Sequence, residues 1–450
     1  MKVCMFALHH CDEHHITVRK VARSLAEAGH DVRIIAVLSK VTDPYEEGDG
    51  ARIFRVPLDP IHRKALRLVA LPAVIARKLV NLLVKEPSRG SFAARVKGGE
   101  SGLAKYALKD NPYSPWYRFW RRLILLLPHS YLSYLDYYFR SFRLARRESA
   151  DVYHAHDLIT LPVAWLCSRV SNGKVVYDSH ELWLDRSRVP RPERSRINRF
   201  FVQRIESFLI RRTDANIIAG ESSGKELSQR YRIAPPTVIL NVPYYRPFER
   251  STLFRDKLGI PAEEKIILYM GRISYFRGVE EAIRSVKYLS HCCLVIFGFG
   301  PDDYIAGLRE LIKDEGLADR VHFFDAVPFD EVTRYAMSAD VGLVLHRNVG
   351  LNYYYVSPNK LFECMAAGLP VVGSNFPDLK RYIEGYKLGV TCNPDNPRDI
   401  ADAIGYILSD ELRYEEMRSN ALEAAKIFNW ENESKKLLDV YEGLGGGVSG

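Results

Sequence analysis

The residues best able to do chemistry in this chain stand just after short apolar runs. Gly271-Arg272-Ile273-Ser274-Tyr275-Phe276-Arg277-Gly278 follows one of them. Its glycines permit close backbone approach, and its two guanidinium groups can converge on a diphosphate. A plain surface turn with two arginines would read the same way. Phe297-Gly298-Phe299-Gly300-Pro301 follows the next run. So bare a turn can admit a nucleotide, yet Asp303 stands where a dinucleotide fingerprint needs its third glycine, which disfavours a nicotinamide dehydrogenase. Ala326-Val327-Pro328 ends a third run, and Val327 there can flank a base or simply turn the chain. Nearer the N-terminus, Tyr153-His154-Ala155-His156-Asp157 and Tyr177-Asp178-Ser179-His180-Glu181 close two further runs. Strand alternation sends His154 and His156 to one side, and Asp157 can position His156 or hold it protonated. The competing reading, a histidine satisfied within the core, is stronger for His154. The loop His9-His10-Cys11-Asp12-Glu13-His14-His15 resembles a zinc site, but its ligands are too crowded for one tetrahedral centre. The expectation is no metal, with His9 and Asp12 lining a cleft, and no D-x-D pair occurs to tie a cation to a diphosphate.

One stretch combines a helix start with a charge. In Tyr355-Val356-Ser357-Pro358-Asn359-Lys360, Ser357 is expected to cap a helix whose first position is Pro358, with Asn359 and Lys360 in the first turn. Leu361, Phe362, Met365 and Ala366 give that helix an apolar face, and Gly368-Leu369-Pro370 stops it. Val341 to Leu345 before it and Val371-Val372 after it make a strand–helix–strand crossover. A helix N-terminus with one cation and no acid is a place to put an anion.

Twelve strand-like runs alternate with helical patterns, which implies α/β architecture with parallel sheets covered on both faces. Twelve strands exceed one comfortable sheet. The aperiodic stretch from Asn241 to Phe248, with two prolines, divides them six and six. The expectation is two doubly wound Rossmann-like domains facing a cleft: residues 1–240, a linker at 241–250, and residues 251–425. A helix over 426–444 is expected to cross back to the first domain, and 445–450 to form a flexible tail. At 450 residues and 47% hydrophobic content, both domains can fill a core. Seven cysteines without a C-x-x-C, mostly inside apolar runs, argue against disulfides or zinc fingers and for a reducing cytoplasm. No window is apolar enough to span a membrane.

The formal charge of +9 is concentrated. Residues 59–149 hold 18 Lys/Arg against 6 Asp/Glu, a net of +12. Within them, Ile61 to Lys85 follows a cationic amphipathic pattern, and Trp116 to Leu127 mixes aromatics, arginines and leucines. A basic, helical insertion that associates with an anionic membrane surface through residues 61–147 is the expectation; nucleic acid is not expected as a partner.

Taken together and in order, HAHD, DSHE, GRISYFRG, GFGP and SPNKLFECMAAGLPVV resemble the retaining glycosyltransferases of family 4, which have the GT-B fold. The likeness spans nearly all of residues 1–58 and 150–440. It implies a UDP- or GDP-linked sugar donor as substrate, no resident cofactor, no obligate metal, and transfer with retention. It also implies roles for residues. Arg272 and Arg277 would bind the diphosphate, although the family carries lysine where Arg277 stands. Glu363 matches the second, ribose-binding glutamate of an E-x7-E motif whose first position is Tyr355 here. Gly271, Gly298, Gly300, Val327, Ser357, Pro358, Asn359 and Lys360 would line the donor. His156 would contact sugar or acceptor, with His9, Asp12, His154, Asp157, His180 and Tyr355 nearby. The function implied is sugar transfer to a lipid-linked saccharide at the inner face of the membrane. A non-catalytic scaffold, or an epimerase or hydrolase on the same fold, are the alternatives.

Overall fold

A computed structural model of the chain describes residues 1–8, 11, 16–39, 42–57, 127–147, 149–186 and 196–445. His9, Asp12 and most of the basic insertion, including Ile61 to Lys85 and Trp116 to Leu126, lie outside the described residues. The chain separates into two compact units, residues 1–176 and 177–450.

In the first unit, β1 (Lys2–Phe6), β2 (Asp31–Leu38), β3 (Tyr45–Gly48), β4 (Ala51–Pro57) and β5 (Val152–His156) run in the order β3-β4-β2-β1-β5. All neighbours are parallel except β3 against β4. Helices α1 (Ile16–Glu27), α2 (Leu127–Ala145) and α3 (Leu161–Ser171) belong with them. Tyr137 of α2 is buried, and its hydroxyl donates to the Ala7 carbonyl at 3.4 Å. The hairpin β3–β4 is an addition to the twelve strands expected. Asp49 and Gly50 turn it with positive φ of 55° and 72°, the pairing that matches hairpin twist. Buried Arg55 ties it down, donating to Glu46 at 2.6 Å, while Arg19 bonds Glu46 at 3.1 Å and Asp49 at 2.6 Å.

Strand β6 (Lys174–Ser179) carries the chain into the second unit. Helix α4 (Arg196–Ile210), β7 (Ala215–Ile218), α5 (Glu221–Tyr231) and β8 (Thr237–Val238) follow, with β7 and β8 parallel. Residues 241–250 form neither helix nor strand. Beyond them, β9 (Lys265–Arg272), β10 (Cys292–Phe299), β11 (Val321–Asp325), β12 (Val341–Val344), β13 (Val371–Ser374) and β14 (Gly389–Cys392) form an all-parallel sheet in the order β11-β10-β9-β12-β13-β14. The chain winds outward one way from β9 and then the other way from β12. That reversal opens a crevice at the carboxyl ends of β9 and β12, where ligands of such sheets bind.

The helices of this sheet are α6 (Leu253–Leu258), α7 (Val279–Ser285), α8 (Asp302–Asp314), α9 (Phe329–Ala336), α10 (Leu351–Tyr354), α11 (Asn359–Ala366), α12 (Pro377–Ile383), α13 (Pro397–Leu408), α14 (Glu411–Ile427) and α15 (Trp430–Gly445). Phe254 of α6 packs between Phe297 and Phe324 at centroid distances of 5.5 and 5.2 Å, sealing β10 and β11 beneath it. Glu433 of α15 is buried and accepts from the backbone N–H of Leu240 at 2.8 Å. Gly445, expected in the tail, ends α15. All seven cysteines are free and buried.

Candidate functional site

Four loops follow the carboxyl ends of β9, β10, β11 and β12. The first leaves β9 at Gly271 and closes at Gly278, the residue that precedes α7. Gly278 has a φ of +71°, and a Cβ there would lie 2.5 Å from Leu345 Cβ, so a side chain is excluded. The second loop leaves β10. Gly298 pairs in register with Gly271, and a Cβ on it would come within 1.9 Å of the Gly271 carbonyl oxygen. Two strand ends therefore lie flat together with no side chain between them, and Gly300 continues the pattern against Ile273. Val327, half-buried, belongs to the third loop, between β11 and α9.

The fourth loop, Tyr355 to Pro358, feeds α11. Ser357 was expected to cap this helix; instead Pro358 holds the cap position in extended backbone and Asn359 is the first helical residue. The reason is a competing partner. The Ser357 hydroxyl donates to Asp378 Oδ2 at 3.2 Å and does not accept from the helix. Asp378 is fully buried and also receives the Ser222 N–H at 3.2 Å, the Ser222 hydroxyl, and Arg381 Nη2 at 2.9 Å. One carboxylate thus fixes the approach to α11 and the first turn of α5 together. Ser223 Oγ adds a bond to the Tyr355 carbonyl at 3.3 Å.

Lys360 does not extend into solvent. It is 5% exposed, with Nζ 4.4 Å from the Tyr269 ring centroid and donating to the Leu345 carbonyl at a long 3.5 Å. Burial, and after it the charge of Arg277, push its pKa down to about 7. Arg277 Nε is buried without a hydrogen-bond partner. His346, two residues past β12, is 2% exposed; burial, then Lys360 and Arg277, hold it well below the usual histidine range, so it stays neutral. Among the described residues neither Arg272, exposed at the end of β9, nor Arg277 forms an ion pair. The first amides of α11 face outward from the same helix end. Two cations and a helix N-terminus make an anion receptor; Glu363 offsets the charge of Lys360 only in part, and an anion would relieve the repulsion between Lys360 and Arg277. Glu363, one turn along α11, is largely buried on the same helix.

Other expected residues lie elsewhere. His154 and His156 are buried on β5 in the first unit, their rings stacked at 4.4 Å and 17°, as strand alternation predicts. Asp157 follows in left-handed backbone at φ +69°. His180 is half-buried after β6, and its neighbour Glu181 accepts from Asn352 Nδ2, while Asn352 Oδ1 accepts the Leu182 N–H at 3.0 Å. Sequence reasoning missed Tyr269, His346 and Asp378. His346 carried a readable signal, a polar residue ending an apolar strand like the other loops; Tyr269 and Asp378 carried none.

Two family models match the chain: Glycosyltransferase Family 4 over residues 99–242 and Glycosyl transferases group 1 over residues 251–425. A D-inositol 3-phosphate glycosyltransferase of Corynebacterium urealyticum is 28% identical over 313 residues, covering 66% of this chain and 72% of the relative. Among solved structures, the sucrose-phosphate synthase of Thermosynechococcus elongatus superposes with a TM-score of 0.72 at 17% identity, over 99% of both chains. Anabaena HepE in complex with UDP-glucose gives 0.66 at 14% identity, over 99% of this chain and 100% of that one. With the Gly-Arg loop, the paired glycines and the SPNK helix placed at the switch point of a parallel sheet, these likenesses make the chain a member of the family 4 glycosyltransferases, with the GT-B fold.

Proposed function

We propose that this glycosyltransferase moves a sugar, with retained anomeric configuration, from a UDP- or GDP-linked donor to a lipid-linked saccharide in the synthesis of a cell-surface polysaccharide or glycolipid. The observation that carries the donor half is the anion receptor at the head of α11, where Arg277 Nε is buried without a hydrogen-bond partner and its charge acts on buried Lys360. The donor diphosphate would lie against Arg272, Arg277, Lys360 and the amides following Ser357 and Pro358. Gly271, Gly298 and Gly300 let it approach, Val327 flanks the base, and Glu363 holds the ribose. As the bond to the anomeric carbon breaks, charge collects on the leaving phosphate, and each preorganised contact lowers the barrier by about 2–4 kcal/mol. No protein nucleophile is invoked. The departing phosphate takes the acceptor hydroxyl proton on the face where the new bond forms, with His156 contacting the sugar or acceptor. The reaction calls for no resident cofactor and no divalent metal. The UDP-glucose complex of a similarly folded protein supports the donor class.

The acceptor half rests on the net +12 of residues 59–149, which suits the anionic inner face of a membrane. Among the described residues no helix is long and apolar enough to cross a membrane. A second reading, a phosphorylated polyol as acceptor, is favoured by the likeness to the D-inositol 3-phosphate glycosyltransferase of Corynebacterium urealyticum. The donor reading is tested by thermal shift with UDP, GDP, ADP and their sugars, since ligand at about 100 times its Kd adds about 2.7 kcal/mol. Stabilisation by one uridine or guanosine series is expected; no stabilisation by any nucleotide overturns it.

A further inference from the structure

Leu345, His346 and Arg347, just past β12, hold both sides of the anion receptor. The Arg347 N–H donates to the Phe276 carbonyl at 2.9 Å, so the peptide joining Phe276 to Arg277 lies against the peptide joining His346 to Arg347. Phe276 makes that approach in left-handed backbone, at φ +64°. From α11, Lys360 Nζ reaches the Leu345 carbonyl. His346 itself is fixed at its main chain: its N–H donates to Ser374 Oγ at 2.8 Å, and its carbonyl accepts from the same hydroxyl at 2.8 Å. Its ring centroid is 6.0 Å from that of Tyr353. Its Nδ1 is buried with no hydrogen-bond partner among the described residues, and the same holds for Arg277 Nε. A guanidinium Nε–H can only donate, and the unprotonated ring nitrogen of a neutral imidazole can only accept. The two atoms are thus complementary, on residues that flank one main-chain hydrogen bond.

We propose that His346 is a positioning residue for the donor: its Nδ1 accepts the Arg277 Nε–H when a diphosphate is bound, turning the two terminal nitrogens of the guanidinium toward the phosphates, a role that rests on the donor reading of this site. A guanidinium grips a phosphate through two parallel N–H groups, which requires its plane to be set. A bond at Nε sets that plane and leaves Nη1 and Nη2 for the ligand. The imidazole must be neutral to accept, and burial together with the charges of Lys360 and Arg277 keeps it so. Lys360 is the other cation whose charge acts on the ring, but its Nζ is already directed to the Leu345 carbonyl and lies over Tyr269. A buried donor and a buried acceptor left unmatched each cost stability, and the pairing removes both costs in the bound state.

The test is the calorimetric affinity of the full chain for UDP and GDP at neutral pH, in wild type and in variants of His346. His346→Asn places an amide oxygen where Nδ1 stood and should bind within about twofold of wild type. His346→Leu, which offers no acceptor, and His346→Gln, whose amide reaches the Nε2 position instead, should each bind about tenfold more weakly. Unliganded His346→Leu should melt no lower than wild type, because a buried acceptor without a partner has been removed. On an Arg277→Lys background, which has no Nε–H, adding His346→Leu should weaken binding no further. If His346→Leu does not fold, the contrast between His346→Asn and His346→Gln decides alone. Wild-type affinity in His346→Leu, equal affinities in the Asn and Gln variants, or the same loss on the Arg277→Lys background would each overturn the proposal and leave the donor reading standing. A wild type that binds neither nucleotide overturns both.

Discussion

Binding of a nucleoside diphosphate should draw nearly one proton from solution above neutral pH, and Lys360 should be where it goes. Without an anion, burial and the neighbouring Arg277 hold Lys360 at about 7, against an ordinary value of 10.5. A diphosphate brings further negative charge beside Lys360 and raises that value. At pH 8 about nine-tenths of the free protein carries neutral Lys360, so binding must protonate it. Each pH unit above 7 then costs about 1.4 kcal/mol of affinity, a factor of ten. The terminal phosphate, with a pKa of about 6, is already ionised there and exchanges no proton. His346, held well below the usual range, is neutral throughout and cannot be the source. The sign for stability follows. The folded-state value lies below the unfolded one, so the unfolded chain binds more protons between about 7 and 10.5, and this group makes stability rise with pH across that window. Calorimetric titration with UDP or GDP at pH 8, in buffers of different ionisation enthalpy, reads the proton count directly. Lys360→Met keeps the packing on Tyr269 and should bring the uptake toward zero and flatten the pH dependence. No uptake in wild type, or the same uptake in the methionine variant, refutes the reasoning.

Three further outcomes follow from the geometry. Arg272→Ala should reduce turnover by two orders of magnitude or more, at about 3 kcal/mol of barrier, with an unchanged circular dichroism spectrum; near-normal turnover removes Arg272 from the site. Gly298→Ala forces a Cβ to 1.9 Å from the Gly271 carbonyl at a φ of +152°, so thermal denaturation should show a loss of about 1–3 kcal/mol or more, and nucleotide affinity should fall with it. His156→Ala, on β5 of the first unit, should lower sugar transfer while calorimetric nucleotide affinity stays within error; an equal fall in affinity would misplace it.

Much of the fold was legible because parallel strands buried on both faces read as continuous apolar runs, and each of the twelve expected runs is a strand. The β3–β4 hairpin was not. Its Asp-Gly turn was visible, but Tyr-Glu-Glu-Gly and an arginine in mid-strand do not suggest one, and the bonds of Arg55 and Arg19 to Glu46 that help hold the pairing join residues distant in the chain. The donor-side loops were legible as Gly, Arg and Pro after strands. What escaped was direction. Helix α11 is buried from Lys360 to Ala366, and a lysine in a first turn ordinarily extends to water. Its inward turn over Tyr269 depends on β9 lying beneath it, a contact between residues 91 apart in the chain. Likewise Ser357 looked like a cap because its better partner, Asp378, is brought to it only by the crossover through β13.

The most direct measurement of the central claim is a time course of nucleoside diphosphate release from UDP- and GDP-sugars, with and without a lipid-linked saccharide extract, with the product anomer assigned by NMR. The account predicts that one donor series is consumed, that the extract accelerates its consumption, and that the new linkage keeps the donor's anomeric configuration. Product of inverted configuration, or no release from any donor in the presence of acceptor, would contradict it.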